Sequence, residues 1–202
     1  MKKLIVFTIY IGILTNVLVA QNQSIKKETF DQNTYGWEEK VEKKKSATIK
    51  DGYLVLTNKK KEGSIEITTR LPLQVKKRFK VTSKLLIPKL NDENRFGVIF
   101  NKIDDENYLA FLVKKENYYL INKENNTTTL EKTGKIKLKE GKNQTVTIIL
   151  ENKGGKLIFV VNGMTAIEVK QDLRYSDFGF YSEGSGTIKI DEILIEQQID
   201  EE

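Results

Sequence analysis

The sequence predicts an antiparallel all-β fold in which two sheets pack as a β-sandwich. Asp51-Gly52, Gly154-Gly155 and Asn162-Gly163 each stand between β-branched and aromatic runs. A two-residue, positive-φ turn in that setting is the strongest short-range hairpin signal. From Ser46 to Gln197 strand-like runs follow at short spacing, with only two prolines in the whole chain and no clear helical period. About a dozen short strands bury their apolar faces only by forming two packed sheets. No fixed-period repeat is visible, which argues against a propeller or solenoid.

The order of elements begins with residues 1–20, which read as an export leader rather than as part of the fold. Lys2 and Lys3 precede an almost wholly apolar run, Leu4 to Val19, and Ala20 suits the residue before a cleaved bond. The run is short for a spanning helix of about 20 residues. Cleavage is expected before Gln21, and the mature chain is expected to be exported to a periplasmic, cell-surface or secreted location. It has no later stretch apolar enough to span a membrane. Residues 21–27 read as a flexible lead-in, 28–198 as a single sandwich domain, and 199–202 as an acidic tail.

Within the domain, Phe30, Tyr35 and Trp37 occur in a polar context ahead of the hairpin across Asp51-Gly52. Ile65 and Ile67 share one face of a strand from Ser64 to Arg70. Phe79 to Ile87 forms the next, closed by Pro88. Phe96, Val98 and Phe100 then face one way, with Arg95, Gly97, Ile99 and Asn101 facing the other. Tyr108 to Val113 is apolar on both faces, as a central strand covered on each side would be. Tyr118 to Asn122 pairs back onto it across residues 114–117, and 125–129 reads as an exposed connection. A meander of 145–150, 156–161 and 165–169 follows, and 178–181 and 187–195 complete the sheets. In the last run Ile188 and Ile190 have one parity and Ile193 and Ile195 the other. The switch at Asp191-Glu192 requires either a bulge or an inward-pointing acid.

Composition narrows the chemistry. The chain has no histidine and no cysteine, so Ser-His-Asp and Cys-His triads and His- or Cys-ligated zinc are excluded, as is a disulfide framework. Calcium, which takes carboxylate and carbonyl oxygens, is the metal that retains plausible ligands. The net charge is +6, and loss of Lys2 and Lys3 with the leader leaves +4. Lysine clusters at 43–45, 59–61 and 76–78 lie at turns and alternate with acids. They read as solvated edges that discourage edge-to-edge pairing, and no nucleic-acid partner is expected. The closest acidic pair at two-residue spacing, Asp104 with Glu106, falls in a polar segment that reads as a turn.

Phe30, Trp37, the DGYLVL hairpin, RFGVIFNKIDDENYLAFLV, KLIFVVNG, DFGFYSEG and TIKIDEILIE together resemble, in their order, the concanavalin A-like jelly-roll domains. The likeness is to the laminin-G-like and glucanase-like group that includes 3-keto-disaccharide hydrolase domains, and it covers nearly all the mature chain. The resemblance implies two curved sheets, with a concave face that often binds glycans and in some members cleaves them. It also implies a structural calcium, for which Asp31 and Asp191 match the relevant regions. The glucanase branch carries its acids as an alternating E-x-D-x-x-E run on one strand, and this chain has no such run. Since a glycosidase needs two opposed carboxyl groups, the resemblance implies a non-catalytic binding module for carbohydrate. A glycoside hydrolase of the same superfamily and a protein-interaction or envelope-structural domain are the rival readings. Sugar binding calls for aromatic platforms beside polar groups. Trp37, Tyr108 and Tyr118 are the candidates, with Arg95 and Asn101 on one face of a shared strand. Core packing is the alternative for each aromatic, Tyr108 foremost.

Overall fold

Among the described strands, hairpins alternate with connections that pass from one sheet to the other. The computed structural model describes residues 23–89, 94–138 and 141–198; the expected leader, 1–20, and tail, 199–202, lie outside them. The strands run β1 (Gln23–Glu28), β2 (Lys40–Val41), β3 (Lys45–Lys50), β4 (Tyr53–Asn58) and β5 (Ser64–Arg70). Next come β6 (Phe79–Lys89), β7 (Arg95–Phe100), β8 (Tyr108–Lys114), β9 (Asn117–Glu124) and β10 (Thr127–Lys135). The last are β11 (Lys142–Asn152), β12 (Lys156–Val161), β13 (Met164–Lys170), β14 (Asp177–Glu183) and β15 (Gly186–Gln198). Among the described residues there is no helix, and hence none long and apolar enough to cross a membrane.

All pairings are antiparallel. One sheet has the order β13-β12-β11-β6-β15-β4-β3-β2, with β1 beside the far end of β15; the other has the order β10-β9-β8-β7-β14-β5. The three predicted glycine turns are all present. Asp51 and Gly52, Gly154 and Gly155, and Asn162 and Gly163 all have positive φ and connect β3 to β4, β11 to β12, and β12 to β13.

The parity switch in the last strand is a bulge. Ile190 faces Leu85 of β6 and Glu192 faces Lys84, so Asp191 is the extra residue between them. Because of it, Ile188, Ile190, Ile193 and Ile195 are all buried. The two acids point outward, Asp191 to Lys84 at 2.7 Å and Glu192 to Lys27 at 2.8 Å.

Alternating inward side chains of both sheets make one core. Phe111 and Tyr118 of the six-stranded sheet stack in sequence with Phe159 of the nine-stranded one, at centroid separations of 5.7 Å and 4.6 Å. A second aromatic run joins Phe30, Trp37, Phe180 and Phe178. Trp37 is only 2 % exposed, and Asn33 fixes its backbone by accepting its N–H at 2.6 Å and donating to its carbonyl at 2.9 Å.

Three expectations are corrected. Residues 23–27 are not a loose lead-in but most of β1, paired to β15 from Gln23↔Gln198 to Glu28↔Ile193. Their side chains are mostly exposed, so backbone pairing makes the strand and no burial pattern marks it. Residues 125–129 are likewise not a simple connection. Asn125 and Asn126 take positive φ as the turn of a further hairpin, and Thr127 to Thr129 open β10, an exposed edge strand. Finally, β6 continues through Pro88. Beyond Leu86 it pairs only with β11, and the register passes from Lys142↔Lys89 to Gln144↔Ile87, so Pro88 is asked for no ladder hydrogen bond.

Candidate functional site

The outward side of the six-stranded sheet carries a second, smaller apolar cluster. Ile99, Ala110 and Leu112 are buried there, with Tyr108, Tyr119, Ile121 and Tyr181 packed around them. All seven residues belong to strands of this one sheet. The double-sided hydrophobicity of Tyr108 to Val113 thus has a different cause from the covering layer expected. One face meets the core, while the other is shielded by tyrosines of neighbouring strands.

Register explains the shape of this face. Tyr119, Leu112, Gly97 and Tyr181 lie in one row across β9, β8, β7 and β14, and Ile121, Ala110, Ile99 and Gly179 lie in the next. In the first row tyrosines stand at both ends with Leu112 and Gly97 between them, while the second row carries no ring at all, which leaves a trough. The two glycines are required by the backbone. A Cβ at Gly97 would fall 2.1 Å from the Phe111 carbonyl oxygen, and one at Gly179 would fall 2.0 Å from that of Ile67. Glycines at such positions let a sheet bend where a side chain would prevent it.

A cavity of about 260 Å³ lies in the trough, lined by Arg95, Tyr108, Ile121, Glu131, Tyr181 and Glu183 among others. A second cavity of about 410 Å³ adjoins it at the end of the sheet and includes Asn101, Asn107, Asn122, Gln171 and Arg174. Tyr108 and Lys123 line both, and the Lys123 ammonium lies 5.5 Å from the Tyr108 ring centroid.

The polar groups are held in place. Arg95 grips Glu183 with two parallel bonds, Nε to Oε2 at 2.8 Å and Nη2 to Oε1 at 2.9 Å, and its guanidinium lies 5.6 Å from the Tyr119 centroid. The bond to Glu183 raises the Arg95 pKa in spite of burial. Burial and then the Glu183 charge raise that of Tyr181, against the effect of a bond with Ser64, so its hydroxyl stays protonated and able to donate. Further along the same face, Lys102 is bound by Glu66 and Asp105. Burial opposes its charge, but the two carboxylates prevail and raise its pKa.

Of the residues expected to bind a ligand, Arg95, Asn101 and Tyr108 line these cavities, whereas Trp37 and Tyr118 are buried in the core. Arg95 and Asn101 do not share one strand face, contrary to expectation, since Asn101 lies just past the end of β7, about 20 Å from Arg95 along the chain. Asn101 has positive φ, and its Oδ1 accepts the N–H groups of Arg174 and Tyr175 at 2.8 and 3.0 Å. It therefore anchors the segment before β14. Tyr119, Tyr181, Glu131 and Glu183 were missed. The alternation Asn117-Tyr119-Ile121-Lys123 places Tyr119 on this face, but identifying it as a trough wall requires the neighbouring strands.

The Asp104-Glu106 segment is the turn expected. Asp104 accepts the Glu106 N–H at 2.8 Å and the Asn107 amide. The two residues expected at a calcium site each have other partners. Asp191 is paired with Lys84, Asp31 accepts the Thr29 hydroxyl at 2.9 Å, and among the described residues no three of His, Cys, Asp and Glu converge to hold a metal ion.

Comparison with solved structures identifies the architecture. A carbohydrate-binding module, CBM66, from Bacillus subtilis aligns over 78% of this chain and 93% of its own, at 17% identity and TM-score 0.56. The Emp47p carbohydrate recognition domain covers 89% and 99%, at 10% identity and TM-score 0.63. A Bacillus licheniformis β-glucanase covers 87% and 98%, at 8% identity and TM-score 0.58. The fold is a concanavalin A-like jelly roll. No protein-family model matches the chain, and comparison with curated proteins finds no match either. At these identities the jelly-roll likeness concerns architecture, and any function must be argued from the trough itself.

Proposed function

We propose that the chain is a non-catalytic carbohydrate-binding module whose ligand lies in the trough of the six-stranded sheet. One observation carries this reading: an apolar floor with Tyr108, Tyr119 and Tyr181 packed around it, on a face that no other described strand covers. Tyrosine rings offer flat surfaces for the C–H faces of sugar rings, and fixed polar groups select hydroxyl positions. Arg95, Glu183 and the amides of the adjoining cavity are such groups. Sugar-binding proteins of the same fold support the reading.

A binding role is favoured over cleavage because Glu183 is committed to Arg95 through both carboxylate oxygens. A hydrolase needs one carboxyl group free to donate a proton and a second free to attack or to activate water. Calorimetry with a panel of neutral oligosaccharides, β-glucan fragments included, tests the proposal alongside a reducing-sugar assay. Binding without product release is expected, weakened by Tyr108→Ala or Tyr181→Ala by about tenfold or more. Sugar release that disappears in Glu131→Gln or Glu183→Gln would establish an enzyme instead. Unchanged affinity in both tyrosine variants would remove the trough from the account.

A further inference from the structure

A larger cavity, of about 960 Å³, lies at the edge of the sandwich away from the trough. Here Lys26 of β1 and Gln197 of β15 face Arg70, which ends β5, and Lys77 in the connection to β6; Tyr35 completes the wall. The lining is built rather than loose. Gln197, 8 % exposed, donates to the Gln74 carbonyl at 2.9 Å and accepts the Gln74 N–H at 3.1 Å. Leu71 donates its N–H to the Ser176 carbonyl at 3.1 Å, and the Thr69 hydroxyl donates to the Tyr35 carbonyl.

The charge on this lining has one sign. Lys26, Arg70 and Lys77 contribute to it, and no lining residue is an aspartate or glutamate. The carboxylate of Asp177 reaches Arg70 only at 3.4 Å, and the Arg70 side chain remains 74% exposed. Tyr35 adds a hydroxyl beside the cations. Burial, and secondarily the Glu28 charge, raises its pKa, which keeps it a donor. Leu71, Pro72 and Leu73 supply an apolar wall. Cations, neutral donors and an apolar surface suit an oxyanion borne on a larger body, and the volume falls in the range of organic-ligand sites rather than that of a lone ion.

We propose that this edge cavity binds an acidic saccharide through its carboxylate or sulfate group. The site does not depend on the trough, so each proposal can fail without the other. The experiment is calorimetry on the intact chain at low ionic strength, with an oligogalacturonate, a sulfated oligosaccharide, a neutral oligosaccharide of equal length and a single-stranded DNA oligomer. At least one acidic saccharide should bind with a dependence on Lys26 and Arg70 that any binding of the neutral one lacks, and which acid binds separates carboxylate from sulfate recognition. Affinity should fall with added salt. Lys26→Gln with Arg70→Gln should weaken binding about tenfold or more. Lys59→Gln with Lys60→Gln, an equal loss of charge at the exposed β4–β5 turn, should change it less than about twofold. Ligand should shift the Gln197 side-chain amide resonances. Equal weakening by the two lysine-arginine and lysine-lysine pairs would reduce the effect to diffuse attraction and overturn the proposal. Tighter binding of DNA through Lys26 and Arg70, or absence of binding by either acidic saccharide, would overturn it as well.

Discussion

Single side chains hold the irregular parts of this molecule. Glu28 is 1 % exposed and accepts the N–H groups of Phe30 at 3.1 Å and Tyr35 at 3.2 Å. It thereby stabilises a loop in which Phe30 takes positive φ and delivers Trp37 to the core. Glu28→Ala leaves two donors without their partner and should cost about 1–3 kcal/mol, read by urea unfolding; an unchanged midpoint would contradict that role. Asp104 acts similarly in the turn before β8. The Asn107 amide, then the Glu106 N–H, hold its carboxyl below the ordinary 3.8. Its contribution is therefore present above that value and is lost as pH falls through the lowered one. NMR titration should find a carboxyl midpoint below 3.8 that Asn107→Ala moves upward.

At the scale of strands, two glycines and one bulge shape the sheets. Gly97→Ala and Gly179→Ala force a methyl group against a neighbouring carbonyl and should each destabilise by about 1–3 kcal/mol. Thermal unfolding checks this, and substitution without loss would mean the bend does not depend on those residues. The break at Asp191-Glu192 was legible in the sequence because isoleucines report their face through parity, but parity alone left a bulge and an inward acid both open. The same signal made β5 and β7 legible, and the glycine turns on either side marked β12. Parity failed for β1 and β10, whose side chains are largely exposed. Strands held mainly by backbone pairing leave little trace in a hydrophobic pattern.

For the whole molecule, the core and the trough are separate consequences of one sheet. The stack of Tyr118, Phe111 and Phe159 fastens the sheets together, and Phe111→Ala should cost about 3–5 kcal/mol by denaturant unfolding. The trough was only partly legible. Arg95 and Tyr108 were among the candidates, but Trp37 was left open between platform and core because a lone tryptophan among polar residues gives no parity signal. Tyr119 and Tyr181 come together through β7 and β8, a relation that no local window contains. Residue-resolved NMR titration with the neutral oligosaccharide that binds best tests the central claim most directly. Shifts should concentrate at Arg95, Tyr108, Tyr119 and Tyr181, with the outward face of the nine-stranded sheet unaffected. Shifts confined to the nine-stranded sheet, or no response to any neutral glycan, would contradict the trough as the binding surface.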